Sequence, residues 1–190
     1  MNSRMYLTTH SFISYTLNLR EVSYQLWMLL GAAESKCRLL AGIPLRPEKQ
    51  KELNQISLKK GIRVTTAIEG NTLSEEDIEQ IYRGGAESIP LSRRYQAQEV
   101  ENVLNVYNNV IHQIEAGNDC EVSLEAVKAD NANILQGIRL ESHIVPGEIR
   151  TYPVTVGNSY MGAPAEDCEY LLNKLREWLN DDRGLCKSIR

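Results

Sequence analysis

The feature that most limits what this chain can fold into is a helical period that recurs along it and is broken by glycine and proline. It is clearest from Ser92 onward, where Ala97, Val100, Leu104, Tyr107, Ile111 and Ile114 return every three or four residues until Gly117. Only a helix places such residues on one face. Tyr107, and Trp178 further on, are expected to sit in the core.

Five other segments read the same way. Leu26, Leu29, Leu30, Ala33, Cys37 and Leu40 form a stripe behind a capping-box pair, Asn18 and Glu21, and the pattern ends before Gly42 and Pro44. Pro47 suits a first helical turn, Glu48 complements its dipole, and Leu53, Ile56, Val64, Ala67 and Ile68 predict a buried face that stops at Gly70. Ser74 and Asp77 cap a short helix to Arg83, ahead of Gly84-Gly85. Ser123 starts a helix through Leu124, Val127, Ile134 and Leu135, and Pro164 starts another with Cys168, Leu171, Leu172, Leu175 and Trp178.

Two stretches change period. Ile13, Tyr15, Leu17 and Leu19 alternate with polar residues, which predicts a short N-terminal strand. GEIRTYPVTVGNSYMG alternates at Val154 and Val156, turns at Gly157-Asn158 and resumes with Ser159 and Tyr160, which predicts a β-hairpin with Pro153 on an edge. The expected fold class is mainly α, with a short N-terminal strand and one hairpin.

Composition then excludes several classes. A chain of 190 residues with net charge −4 has room for one ordinary core and no concentrated basic face for phosphates, so no nucleic-acid partner is expected. The longest apolar run, Leu26 to Ala33, is far shorter than a bilayer crossing, and the N-terminal residues are too polar for a secretory leader. We expect a soluble cytoplasmic protein with no membrane partner. Cys37, Cys120, Cys168 and Cys186 form no CxxC pair, so neither a metal site nor a disulfide framework is suggested. His112 and His143 have no carboxylate or nucleophile motif around them and read as ordinary histidines.

One residue stands out. TTAIEGN, residues 65–71, puts Glu69 at the negative end of a helix dipole, where an exposed carboxylate costs about 0.3–1 kcal/mol. A solvated glutamate before a glycine cap is the plain explanation. The alternative is a carboxylate held on a rigid helix end to pair with an arginine elsewhere, with Thr65 one turn earlier placed to orient it.

TTAIEGN resembles the inhibitory-helix motif (S/T)xxxE(G/N) of Fic-domain proteins. Around it, ISYTLNL, ESKCRLLAGIPLRPE and QEVENVLNVYNNVI are similar in order and spacing to the N-terminal region of that family, and PGEIRTYPVTVGNSYMGAP with LLNKLREWL resembles its flap hairpin and following helix. The resemblance covers nearly the whole chain. It implies a Fic-like helical bundle: residues 1–118 as the N-terminal region with the inhibitory helix at about 47–70, and 119–190 as part of the catalytic core with the flap at about 149–161. The family transfers AMP from ATP, with Mg²⁺, to a protein hydroxyl. Its inhibitory glutamate pairs with an arginine of the active-site loop and keeps the γ-phosphate of ATP from its productive place. Carried over, Glu69 is the inhibitory carboxylate with Thr65 and Gly70 as flanks, and Thr151, Tyr152, Val154, Val156 and Tyr160 belong to a flap that binds a target protein as an added strand.

The catalytic signature of the family, HPFxxGNGR, does not occur in these 190 residues. His10, His112 and His143 precede Ser, Gln and Ile, and the Gly-Asn pairs at 70, 117 and 157 are not followed by Gly-Arg. The resemblance therefore implies an incomplete Fic bundle truncated before that motif, with no catalytic or metal-binding residue of its own and no ATP or Mg²⁺ bound by this chain alone. Two other readings stay open: an antitoxin-like inhibitor that delivers Glu69 to an intact Fic partner, with homo-oligomers also possible, and a helical scaffold with a chance motif.

Overall fold

A computed structural model describes residues 4–16, 19–118, 121–157 and 160–181. The molecule is mainly helical. In chain order the helices are α1 (Tyr6–Thr9), α2 (Tyr24–Ala41), α3 (Pro47–Ile68), α4 (Glu75–Gly84), α5 (Arg94–Glu115), α6 (Leu124–Ile134) and α7 (Ala165–Asn180), and β1 (Thr155–Val156) pairs antiparallel with β2 (Tyr160–Met161) between α6 and α7. The chain divides into two compact units, one of residues 1–15 with 58–190 and one of residues 16–57.

Local chemistry explains α4 most completely. Ser74 accepts the Asp77 amide while the Asp77 carboxylate accepts the Ser74 amide, so two otherwise orphaned donors satisfy each other. Arg93 then grips Asp77 through both guanidinium ends at 2.7 and 3.0 Å, which ties the start of α4 to the start of α5. Ile78 and Ile81, buried on the inner side, join Ile62 of α3, Ile89 and the α5 residues Ala97, Val100 and Leu104 in the core of the larger unit. Burial of each isoleucine stabilises by about 1.5–3 kcal/mol, more than a cap contributes, so packing sets the helix and capping sets its end.

α6 meets α5 through a polar clasp. Asn102, itself buried, donates from Nδ2 to the carbonyls of Ile134 and Gln136 at 2.9 and 2.7 Å, satisfying the otherwise open C-terminal end of α6.

Several expectations need correction. Residues 13–16 form no strand, while Leu17 and Asn18 lie outside the described residues and Leu19 begins a single 3₁₀ turn. Ile13 and Tyr15 are nevertheless more buried than Ser14 and Thr16, so the alternation reports a chain that turns every second side chain inward, with no ladder partner among the described residues. The cap of α2 is Ser23, which accepts the Leu26 amide at 3.2 Å; the expected pair at Asn18 and Glu21 falls partly on Asn18, outside the described residues. α3 buries Ile62 and Thr66, while Leu53, Ile56, Val64 and Ile68 are exposed. Tyr107 is 46% exposed because the buried residues of α5 all lie in its first half, against α4 and the turn at 86–88.

Candidate functional site

The end of α3 is built to hold its last residues still. The amide of Asn71 donates to the carbonyl of Thr66 and that of Gly70 to Ala67, the paired bonds of a Schellman cap, with Gly70 at φ +90° supplying the left-handed step. Glu69 is therefore the cap residue itself, one position beyond Ile68. Its own amide donates to the Thr66 carbonyl at 3.1 Å.

Two buried side chains anchor this cap. Thr66 donates its hydroxyl to the Ile62 carbonyl at 3.0 Å. Asn71 donates from Nδ2 to the Gln96 carbonyl and to Glu99 Oε2, at 3.0 and 2.9 Å, and accepts the Leu73 amide on Oδ1. The cap is thereby bolted to α5. Around it, Arg63 pairs with Glu75 at 3.1 Å and Lys59 with Glu79. The Arg93 guanidinium holds the Asp77 carboxyl below the usual carboxylate range, and the Lys59 ammonium does the same for Glu79.

Glu69 stands outside this network. Its side chain is exposed and has no hydrogen bond or ion pair among the described residues. Thr65 is exposed as well, and no bond joins it to Glu69; the residue that fixes the turn is its neighbour Thr66. Neither Thr66 nor Asn71 was a candidate from sequence. An asparagine directly after a helix-ending Glu-Gly was the available signal, since its side chain can satisfy main-chain groups around a turn.

The second candidate region is the β1–β2 pair, with Thr155 opposite Met161 and Val156 opposite Tyr160. Arg150 supports it from beneath, donating to the carbonyls of Tyr152 at 2.6 Å and of Ala163. The ring of Tyr152 stands edge-on to His143 at 4.4 Å, and the Val154 carbonyl accepts the Gly162 amide at 2.7 Å. Thr151 and Tyr160 are exposed. His10, buried at the end of α1, donates from Nε2 to the Met161 carbonyl at 2.8 Å and meets the Tyr160 ring at 6.2 Å. Among the described residues no hydrogen bond or ion pair links this pair of strands to residues 65–71.

Beside the strands, α6, α7 and residues 147–150 enclose an open groove of about 520 Å³ walled by Ile13, Tyr15, Val127, Ile149, Leu171 and Leu172. Lys128 and Glu148 pair across its rim at 3.3 Å, and the Tyr15 hydroxyl donates to the Leu171 carbonyl.

No family model, curated protein or solved structure matches this chain.

What the arrangement can do chemically is limited and specific. Among the described residues, no three His, Cys, Asp or Glu side chains gather in a way that could hold a metal ion. No described helix is long and apolar enough to cross a membrane. What remains is a presented carboxylate at a fixed helix end, and a short antiparallel strand pair between α6 and α7.

Proposed function

We propose that this chain is the regulatory part of a Fic-type protein AMP-transferase, in which Glu69 pairs with an arginine of the catalytic loop and holds the enzyme inactive. One observation carries the reading: an exposed Glu69, with no partner among the described residues, sits on a cap that Thr66 and Asn71 fasten to α5. A carboxylate on a fixed cap loses little conformational entropy when it meets a guanidinium, and a charge-assisted bidentate pair of that kind is among the stronger side-chain interactions. The order of motifs along the chain adds the rest, since a short strand pair follows where the family carries its target-binding flap. In this reading Thr151, Tyr152, Val154, Val156 and Tyr160 line up a target segment, and the transfer chemistry, with its ATP and Mg²⁺, belongs to an HPFxxGNGR loop that these 190 residues do not contain.

The same lone carboxylate favours a second reading, delivery of Glu69 in trans to an intact Fic partner. The purified chain, incubated with labelled ATP and Mg²⁺, is expected to incorporate no AMP; incorporation would overturn the assignment. Added to a Fic enzyme stripped of its own inhibitory glutamate, the chain is expected to slow AMP transfer if it acts in trans, and Glu69→Gly to abolish that effect while binding persists. Equal inhibition by both forms would sink any role for Glu69.

A further inference from the structure

We infer that residues 4–15 are a strap that closes the outer edge of β2, with His10 as its latch, so that an extended peptide pairs with that edge only once the strap lifts. Antiparallel bonds fall on alternate residue pairs, and the Gly162 amide donates to the Val154 carbonyl, so the bonded pairs are 154 with 162 and 156 with 160. Met161, opposite Thr155, therefore turns its own N–H and carbonyl away from β1. An added strand would need both groups. His10 Nε2 already donates to that carbonyl at 2.8 Å.

The latch is a single side chain in a stretch that otherwise lies at the surface. Of residues 4–16, His10 is the one that is buried, while Leu7 and Phe12 are left exposed. A polar ring is placed inside where larger apolar side chains are not, and its nitrogens are met: Nε2 by Met161, and Nδ1 by Thr9 Oγ at 2.8 Å. To either side of His10 the segment is tied to α7. The buried Asp167 receives Arg4 and the Tyr6 amide, and the Tyr15 hydroxyl donates to the Leu171 carbonyl at 2.9 Å. No main-chain ladder joins residues 4–15 to β2 among the described residues. A cover held by a few such bonds, outside the core of Ile62, Ile78 and Val100, separates without unfolding α4 or α5. Strap and peptide need the same carbonyl, so the peptide's apparent affinity scales with the fraction of molecules whose strap is lifted. What the edge receives rests on the flap reading above; the closure itself does not.

The fluorescein-labelled synthetic peptide KTVTVTK is a probe of main-chain pairing, followed by fluorescence anisotropy on the full chain. It is expected to bind His10→Ala about tenfold or more tightly than wild type. Adding Met161→Pro, which removes the outward N–H and no bond to β1, is expected to cancel that gain. His10→Gln, which keeps a donor at the latch, is expected to bind as wild type does. Asp167→Ala frees the other end of the strap and is expected to tighten binding in the same direction, which keeps the test decisive if His10→Ala does not fold. Equal binding by wild type and the strap variants, no binding by any of them, or a gain that survives Met161→Pro overturns the inference. AMP incorporation by the purified chain would remove the flap reading and leave the strap standing, whereas equal peptide binding removes the strap alone.

Discussion

The Asn71 side chain donates to the main-chain carbonyl of Gln96 at 3.0 Å, joining the cap of α3 to the first turn of α5 across a gap of twenty-five residues. This one amide sets where Glu69, two residues earlier, leaves the helix. The cost of a carboxylate at a helix C-terminus, about 0.3–1 kcal/mol, is small beside the burial of Ile62 about two turns earlier in the helix, so the fold carries Glu69 without needing it.

Asn71→Ala is expected to lower stability by about 1–3 kcal/mol, because it removes the amide that the Gln96 carbonyl and Glu99 both receive and leaves buried groups unsatisfied. Urea unfolding checks this through a lower midpoint at an unchanged slope.

Gly70→Ala and Gly61→Ala are expected to move stability in opposite directions. Gly70 sits at φ +90°, so a Cβ there is strained whatever space surrounds it, at a cost of about 1 kcal/mol. Gly61 lies in mid-helix in α3 with no heavy atom within 4 Å of an added Cβ, and alanine there is expected to gain about 0.5–1 kcal/mol. Thermal melts of the two variants against wild type decide the matter.

Asp77 gives the fold an acid limit. Its folded-state carboxyl titrates below the unfolded value, chiefly because Arg93 bonds the ionised form. The stabilisation is therefore complete above the unfolded value of about 4 and is lost as pH falls through the lower folded value. Asp77→Asn is expected to destabilise by about 1–3 kcal/mol at neutral pH and to flatten the loss of stability below about pH 4. Unfolding midpoints measured from pH 7 down to pH 3 test both parts.

Asp167 is expected to control the N-terminal segment. Buried on α7, it accepts Arg4 Nη1 at 3.2 Å and the Tyr6 amide at 2.8 Å, while the Arg4 guanidinium lies over the Tyr170 ring. Asp167→Ala is expected to speed amide exchange over residues 6–10 by about tenfold or more, the equivalent of about 1.4 kcal/mol, with little change in α4 and α5. Exchange measured by mass spectrometry resolves those segments.

Much of this was legible because it is local. Ser74 and Asp77 announce the start of α4 three residues apart, and Gly70 announces the end of α3, since only those side chains satisfy the amides or adopt the turn there. The face of α3 was not legible: Leu53, Ile56, Val64 and Ile68 compete with Leu58 and Ile62 for the inward side, and helical periodicity alone does not choose between two overlapping stripes. The N-terminal alternation misled for a related reason, as Ile13 and Tyr15 do turn inward but no strand among the described residues pairs with them.

By itself the sequence determined the helical content, the caps at Gly70, Ser74 and Ser123 and the presence of a carboxylate at the end of α3, because each follows from neighbours within about one turn. Only the tertiary structure decided which residues make that end rigid. Thr66 and Asn71 act through Ile62 on their own helix and through Gln96 and Glu99 on another. A side-chain amide that must find its acceptors twenty-five and twenty-eight positions away has no local signature; its partners exist only once α3 and α5 have packed.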